Sequence, residues 1–166
     1  MLRALVLAVV VVATSCTGGS DPPTFEEVHT PLPRIQGSSV VDGAPLGASE
    51  LLDQALVINA WATDCQYCLK EQPALIRVFE RYRDRGVSFL GIDHIDQRAN
   101  ARTWIEDFDV PYPSIYDPSG ELAALLGYPG LPATLVVDRD GIIRFRSYGA
   151  VTEAELAEAL DRVLAG

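Results

Sequence analysis

Cysteine, histidine and positive charge are all scarce in this 166-residue sequence, and each shortage argues against a class of protein. Three cysteines are too few for a disulfide-stabilised scaffold, and an odd number cannot all pair within one chain. A zinc site needs about four ligands, and only His29 and His94 supplement the cysteines. The 13 lysines and arginines are outnumbered by 23 aspartates and glutamates, so a net charge of -10 would repel a nucleic-acid backbone. We therefore expect no metal, no other cofactor and no nucleic-acid partner.

Long hydrophobic runs are also scarce. Residues 4–13 (ALVLAVVVVA) follow Arg3 as one apolar run, which is too short to span a bilayer comfortably and is typical of a signal peptide. Ser15 and Cys16 then resemble the end of a bacterial lipobox. We expect residues 1–15 to be a signal peptide and Cys16 to become the lipidated N-terminus, with ordinary secretory cleavage or an uncleaved anchor as alternatives. The expected location is extracytoplasmic, on the bacterial cell membrane through a lipid anchor, or else secreted or periplasmic.

Residues 16–37 are rich in glycine, serine and proline. A segment of this composition buries too little apolar area to offset the entropy lost on ordering. We expect it to be a flexible tether that holds the domain away from the membrane. His29 lies in this segment and is therefore interpreted as a solvated residue rather than a ligand.

The remaining residues, 38–166, have the pattern of one α/β domain. A hairpin with its turn at Asp42-Gly43 is expected first, and a Thr152-x-x-Glu155 capping box precedes the last helix. Predicted strands cover residues 55–60, 87–92, 114–116 (as an edge strand), 135–137 and 142–146. Predicted helices cover residues from the cysteines to about 85, then 98–108, 121–126 and 152–164. This order predicts three layers, with a mixed central sheet flanked by helices.

The main chemical feature is the stretch at residues 57–73, VINAWATDCQYCLKEQP, in which a buried strand leads into a helix that begins with Cys65 and Cys68. The helix N-terminus stabilises a thiolate, so Cys65 is predicted to be the exposed nucleophile. Cys68, one turn later, is then the resolving thiol. A structural disulfide is an alternative, although so short a loop confers little entropic stabilisation. A metal site is a further alternative that lacks ligands.

Four motifs resemble the TlpA/ResA family of exported, thioredoxin-like thiol-disulfide oxidoreductases. They are residues 59–63 (NAWAT), Cys65-x-x-Cys68, Lys70-Glu71-x-Pro73 and residues 131–134 (LPAT). The similarity runs from about residue 40 to residue 164. It includes an insertion at residues 93–127 that resembles the extra strand and helix of that family. The resemblance implies a thioredoxin-like fold with this inserted segment.

The resemblance also implies roles for individual residues. The expected catalytic residues are Cys65, Cys68 and Glu71, and the expected substrate-binding residues are Trp61, Leu131 and Pro132. Glu71 lies three residues after Cys68 and so nearly on the same helical face. If buried, Glu71 would have a raised pKa and could relay a proton to or from Cys68. If the bond before Pro132 is cis, its turn can lie against the cysteines.

One residue departs from the family pattern. The family usually has a tryptophan immediately before the first cysteine, and this sequence has Asp64. A carboxylate beside Cys65 disfavours the thiolate. The absence of tryptophan also leaves Cys65 without an aromatic cover. We therefore predict that Asp64 raises the pKa of Cys65.

The function implied by the resemblance is disulfide reduction in exported proteins by a membrane-tethered monomer, with cytochrome c maturation as a candidate pathway. Its partners would be thiol- or disulfide-bearing exported proteins and a membrane electron donor. A peroxidase is one alternative, but its Thr-x-x-Cys pattern fails because Thr63 lies two residues before Cys65. A non-catalytic binding lipoprotein is the other.

Overall fold

A mixed eight-stranded sheet is the centre of the fold. The computed structural model describes residues 25–166, so the predicted signal peptide, the predicted lipidation site Cys16 and the start of the predicted tether lie outside the described residues. The strands are β1 (Glu26–Pro31), β2 (Gln36–Ser39), β3 (Pro45–Gly47), β4 (Ala55–Trp61), β5 (Val87–His94), β6 (Ser114–Asp117), β7 (Ala133–Asp138) and β8 (Ile142–Tyr148). The helices are α1 (Ala48–Leu51), α2 (Gln66–Tyr82), α3 (Arg98–Asp107), α4 (Glu121–Leu125) and α5 (Glu153–Ala165).

The strands follow the order β1-β8-β7-β4-β5-β6-β2-β3 across the sheet. β4 and β6 run parallel to β5, and the other pairs are antiparallel. All seven residues of β4 are buried, because helices cover this central strand on both faces. One core contains residues of α2 and α5, such as Leu75 and Leu156, and the other packs around Ile58 and Ile92. The predicted three-layer α/β architecture is thus confirmed.

The N-terminal residues of the structure correct two predictions. The predicted flexible tether is wrong for residues 26–37, because β1 pairs with β8 and β2 pairs with β6. This pairing also makes β6 an interior strand rather than the predicted edge strand. The backbone groups along β8 and β6 offer hydrogen bonds to any extended neighbour, whatever its side chains. Composition therefore could not reveal this pairing. His29 is exposed on β1.

Local signals in the sequence are matched closely by the structure. β2 and β3 form the expected hairpin, with Gly43 at φ 76° in its turn. The Thr152 hydroxyl accepts from the backbone of Glu155, whose carboxylate accepts from the backbone of Thr152, which is the expected capping box. Among the helices of residues 25–166, none has the length and hydrophobicity that a membrane crossing requires.

Candidate active site

The two cysteines lie where β4 passes into α2. Cys65 is the N-cap residue of α2 and is half-buried, whereas Cys68 is only 1% exposed. Their sulfur atoms form a disulfide, and their Cα atoms are 5.2 Å apart. The backbone N–H of Cys68 donates to Cys65 Sγ at 3.1 Å. This donor and the positive end of the helix dipole would stabilise a thiolate on Cys65 in the reduced protein. The difference in exposure matches an accessible nucleophile followed by a shielded resolving thiol.

The segment before Cys65 is held by a carboxylate that the sequence interpretation missed. Asp96 Oδ2 accepts from the Thr63 backbone N–H at 2.9 Å and from Thr63 Oγ1 at 2.5 Å. Partial burial opposes ionisation of Asp96, but these hydrogen bonds hold its pKa below the ordinary value. The bonds join the β5–α3 connection to the segment that leads into the cysteines. An Asp two residues after the end of a strand gives no sequence signal of such a contact.

Asp64 is exposed and precedes Cys65 directly in the chain. The sequence predicts that its negative charge disfavours the Cys65 thiolate. We expect Asp64→Trp and Asp64→Asn both to lower the pKa of Cys65, by up to about one unit, because each removes the nearby negative charge. The Asn variant separates the effect of charge from that of an aromatic ring. Ultraviolet absorbance of the thiolate, followed during pH titration, measures the pKa. A native pKa equal to or below that of both variants would contradict the prediction.

Glu71 lies on α2 one turn beyond Cys68 and is 2% exposed. Its Oε1 accepts from Asn59 Nδ2 at 2.8 Å, and its Oε2 accepts from the Val151 backbone N–H at 2.9 Å. Burial raises the pKa of Glu71 to about 7, and the two hydrogen bonds only partly oppose that shift. The carboxyl group can therefore bind or release a proton near neutral pH.

Asn59 connects this carboxyl group to the sheet. Its Nδ2 also donates to Thr134 Oγ1 on β7, at 3.1 Å. The three side chains come from β4, α2 and β7, and all are buried. A glutamate in the helix is visible from the sequence, but partners that are 12 and 80 residues away along the chain are not.

The predicted turn at Pro132 lies beside the cysteines. The Leu131–Pro132 peptide bond is cis. The half-buried Leu131 side chain packs against an apolar cluster that includes Cys68, and Cys65 packs against the same cluster. Trp61 belongs to this cluster too, but it is only 3% exposed and stacks on Trp104 with 5.3 Å between ring centroids. Trp61 is therefore part of the core beneath the site, and its burial leaves little surface for the substrate contact that the sequence predicted.

Asp93 is a second buried carboxyl group, which the sequence interpretation did not single out. It ends the apolar part of β5, pairs with Trp61 across the sheet and is 0% exposed. Among the described residues, neither of its oxygens has a hydrogen-bond partner. Burial raises its pKa to about 7; Asp96 and Asp117 add to the shift, while Arg98 opposes it. An acidic residue at the end of the run VSFLGID was the available signal.

The raised pKa of Asp93 predicts that acid stabilises the fold. The unfolded chain loses this proton near its ordinary pKa of 3.8, whereas the folded protein keeps it until about pH 7. The free energy of unfolding should therefore fall as pH rises through this interval, by at most about 1.4 kcal/mol per pH unit from this group. Asp93→Asn should reduce that slope, measured by urea denaturation across the interval. Asp107→Asn, at an exposed position on α3, is the matched control, and an unchanged slope in Asp93→Asn would contradict the prediction.

Within residues 25–166, no group of three or more His, Cys, Asp or Glu side chains is arranged to hold a metal ion.

Comparison with known proteins agrees with this geometry. The AhpC/TSA family model matches residues 28–146. The thiol:disulfide interchange protein DsbE of Vibrio cholerae is 31% identical over 87% of this chain and 78% of its own length. The thiol-disulfide oxidoreductase ResA of Bacillus thuringiensis is 24% identical over 74% of this chain and 71% of its own length.

Among solved structures, a secreted thiol-disulfide isomerase from Corynebacterium glutamicum superimposes with a TM-score of 0.80. It is 26% identical, and the match covers 89% of this chain and 96% of that one. The predicted thioredoxin-like fold and the predicted resemblance to ResA are both confirmed. The chain belongs to the AhpC/TSA family, among its thioredoxin-like thiol-disulfide oxidoreductases.

Proposed function

We propose that this protein exchanges thiols and disulfides with exported proteins through Cys65 and Cys68. The observation that carries the proposal is the disulfide at the start of α2, in which Cys65 is half-buried and Cys68 is fully buried. A purely structural disulfide that closes so short a loop would add little to the stability of the fold. The relatives from Vibrio cholerae and Bacillus thuringiensis, named for interchange and oxidoreductase activity, support the same reaction.

In the reducing direction, the Cys65 thiolate attacks a substrate disulfide and forms a mixed disulfide, while the other substrate sulfur leaves as a thiolate. Cys68 then loses its proton to the Glu71 carboxylate and attacks the sulfur of Cys65. The second substrate thiolate leaves and the Cys65–Cys68 disulfide forms. Two electrons pass to the substrate, and the proton held by Glu71 returns to a product thiolate or to water.

The Leu131–Pro132 turn is proposed to hold the substrate chain beside Cys65. Leu131 packs on the cluster that includes Cys68, and the turn leads directly into β7. An extended chain can bind to backbone groups exposed in such a turn, as peptides do in strand addition. Leu131 and Pro132 are therefore assigned to substrate binding, whereas Trp61 supports the site from below.

The finer parts of the sequence interpretation belong to the same proposal. The protein acts as a monomer outside the cytoplasm, held to the membrane by a lipid on Cys16, and it receives electrons from a membrane donor. Its substrates are oxidised cysteines of exported proteins, and cytochrome c maturation is the pathway to examine first. The signal-like residues 4–13 support export, and the secreted relative from Corynebacterium glutamicum is consistent with it.

An assay of disulfide reduction tests the function. The purified, reduced protein is mixed with insulin, and we expect loss of insulin disulfides together with stoichiometric formation of the Cys65–Cys68 disulfide. Hydrogen peroxide replaces insulin in a parallel reaction, which tests the peroxidase alternative. Rapid peroxide consumption without insulin reduction would overturn the proposal, and absence of both reactions would favour the non-catalytic alternative.

A further inference from the structure

Ile95 combines two unfavourable features in the connection between β5 and α3. Its φ angle is 50°, in the left-handed region where a β-branched residue is strained. The residue is also 62% exposed, so the strain is not offset by burial of apolar surface. The other non-glycine residue with positive φ among the described residues is Asp109, whose type tolerates that region. Strained, exposed positions of this kind concentrate at binding sites.

Neighbouring residues hold Ile95 in this conformation. The Ile95 backbone N–H donates to the Asp117 carbonyl at 2.9 Å. Gly120 lies against the side chain, and a Cβ atom there would stand 2.9 Å from Ile95 Cδ1 and 2.7 Å from His94 Cε1. The missing side chain at Gly120 therefore leaves the room that Ile95 occupies. These contacts fix the position of Ile95, although it lies in a connecting segment.

Ile95 lies at the same end of the sheet as the disulfide. β4 and β5 are parallel neighbours, so the segments that follow Trp61 and His94 leave the sheet side by side. Asp96, the next residue after Ile95, binds both the backbone N–H and the hydroxyl of Thr63. Thr63 is two residues before Cys65, so these bonds join the residue after Ile95 to the segment that leads into α2.

The surface around the disulfide is apolar on more than one side. Tyr67, between the two cysteines, is 61% exposed, and Leu131 is half-buried against the same cluster as Cys65. A pocket lined by His94, Gly120, Tyr128 and Leu131 runs from the residue before Ile95 to the turn at Pro132. A chain that presents a cysteine to Cys65 therefore meets apolar surface beside it.

We propose that Ile95 determines specificity in the exchange reaction by contacting an apolar side chain next to the reacting cysteine of a polypeptide substrate. This inference rests on the proposed thiol-disulfide exchange. The contact buries the exposed Ile95 side chain only while substrate is bound, so it favours polypeptides with an apolar neighbour over those with a polar one. Small disulfides, which carry no such side chain, gain nothing from it.

Two disulfide-linked peptides test the inference. They differ only in a leucine or a serine beside the cysteine. We expect the native protein to reduce the leucine peptide about tenfold faster in kcat/KM, mainly through KM. Ile95→Asn should abolish this preference, because asparagine accepts the left-handed conformation but offers no apolar surface. Its thermal midpoint should be equal to or above that of the native protein, since the strain is relieved. Its rate with the small reagent 5,5′-dithiobis(2-nitrobenzoate) should be unchanged.

Two further variants serve as controls. Ile95→Met keeps an apolar side chain and should keep the preference. Val41→Asn, at a 56% exposed valine in the β2–β3 turn, should leave every rate unchanged. A preference that survives in Ile95→Asn, or an equal loss with peptides and the small reagent, would overturn the inference. A native protein that reduces none of these disulfides would instead overturn the proposed function itself.

Discussion

Cys65→Ser is expected to reduce disulfide exchange to the uncatalysed rate, whereas Cys68→Ser is expected to stop it at the mixed disulfide. Cys65 is the accessible member of the pair and lies at the N-terminus of α2, where a thiolate is stabilised. Without it no mixed disulfide can form. Without Cys68 the first step proceeds, but no thiol within reach attacks the mixed disulfide, so the complex persists.

Mass spectrometry under non-reducing conditions measures this difference directly. Cys68→Ser, mixed with a disulfide-containing peptide, should gain the mass of one half-peptide on Cys65, and Cys65→Ser should gain none. Cys16→Ser is the matched control because it removes the third cysteine of the chain and should leave exchange unchanged. An adduct on Cys68 in the Cys65→Ser variant, at the rate found for Cys65 in Cys68→Ser, would reverse the assigned roles.

Glu71→Gln is expected to slow the resolution step by on the order of 10²-fold at neutral pH, because glutamine cannot accept the proton of Cys68. In the native protein, this step should accelerate with rising pH and level off above about pH 7, the pKa of the buried carboxyl group. In the variant, the acceleration should move to higher pH and follow ionisation of the buried Cys68 thiol itself. Single-turnover release of the second half-peptide, measured across this pH interval, reports the step.

Folding and charge controls accompany this variant. The glutamine oxygen can accept from only one of the two donors, Asn59 or Val151, so a loss of about 1–3 kcal/mol in stability is expected and should be measured. Glu80→Gln, at an exposed position on the same helix, removes a charge without touching the site and should leave the rate unchanged. A native pH profile retained in Glu71→Gln would remove Glu71 from the mechanism.

The sequence was sufficient wherever a signal was local. Cys65 and Cys68 are three residues apart, and this spacing indicated their chemistry because it follows a buried strand, begins a helix and is accompanied by Pro132 downstream. The apolar runs of β4 and β5 predicted central strands, and the capping box predicted the start of α5. The α/β architecture, the family and the exchange reaction followed from these features together with the motifs around them. Each depends on residues close together in the chain, where periodicity and capping carry the information.

Contacts between distant residues were decided only by the tertiary structure. β1 and β2 join the sheet through backbone hydrogen bonds, which form whatever the side chains are. Part of the predicted tether is therefore two strands. Burial turned Trp61 into a core residue and raised the pKa of Asp93 to about 7. Asp96 binds Thr63 across 33 positions of the chain, and Ile95 owes its outward position to Asp117 and Gly120. A pKa and a surface depend on what packs around a side chain, and that environment exists only once the chain has folded.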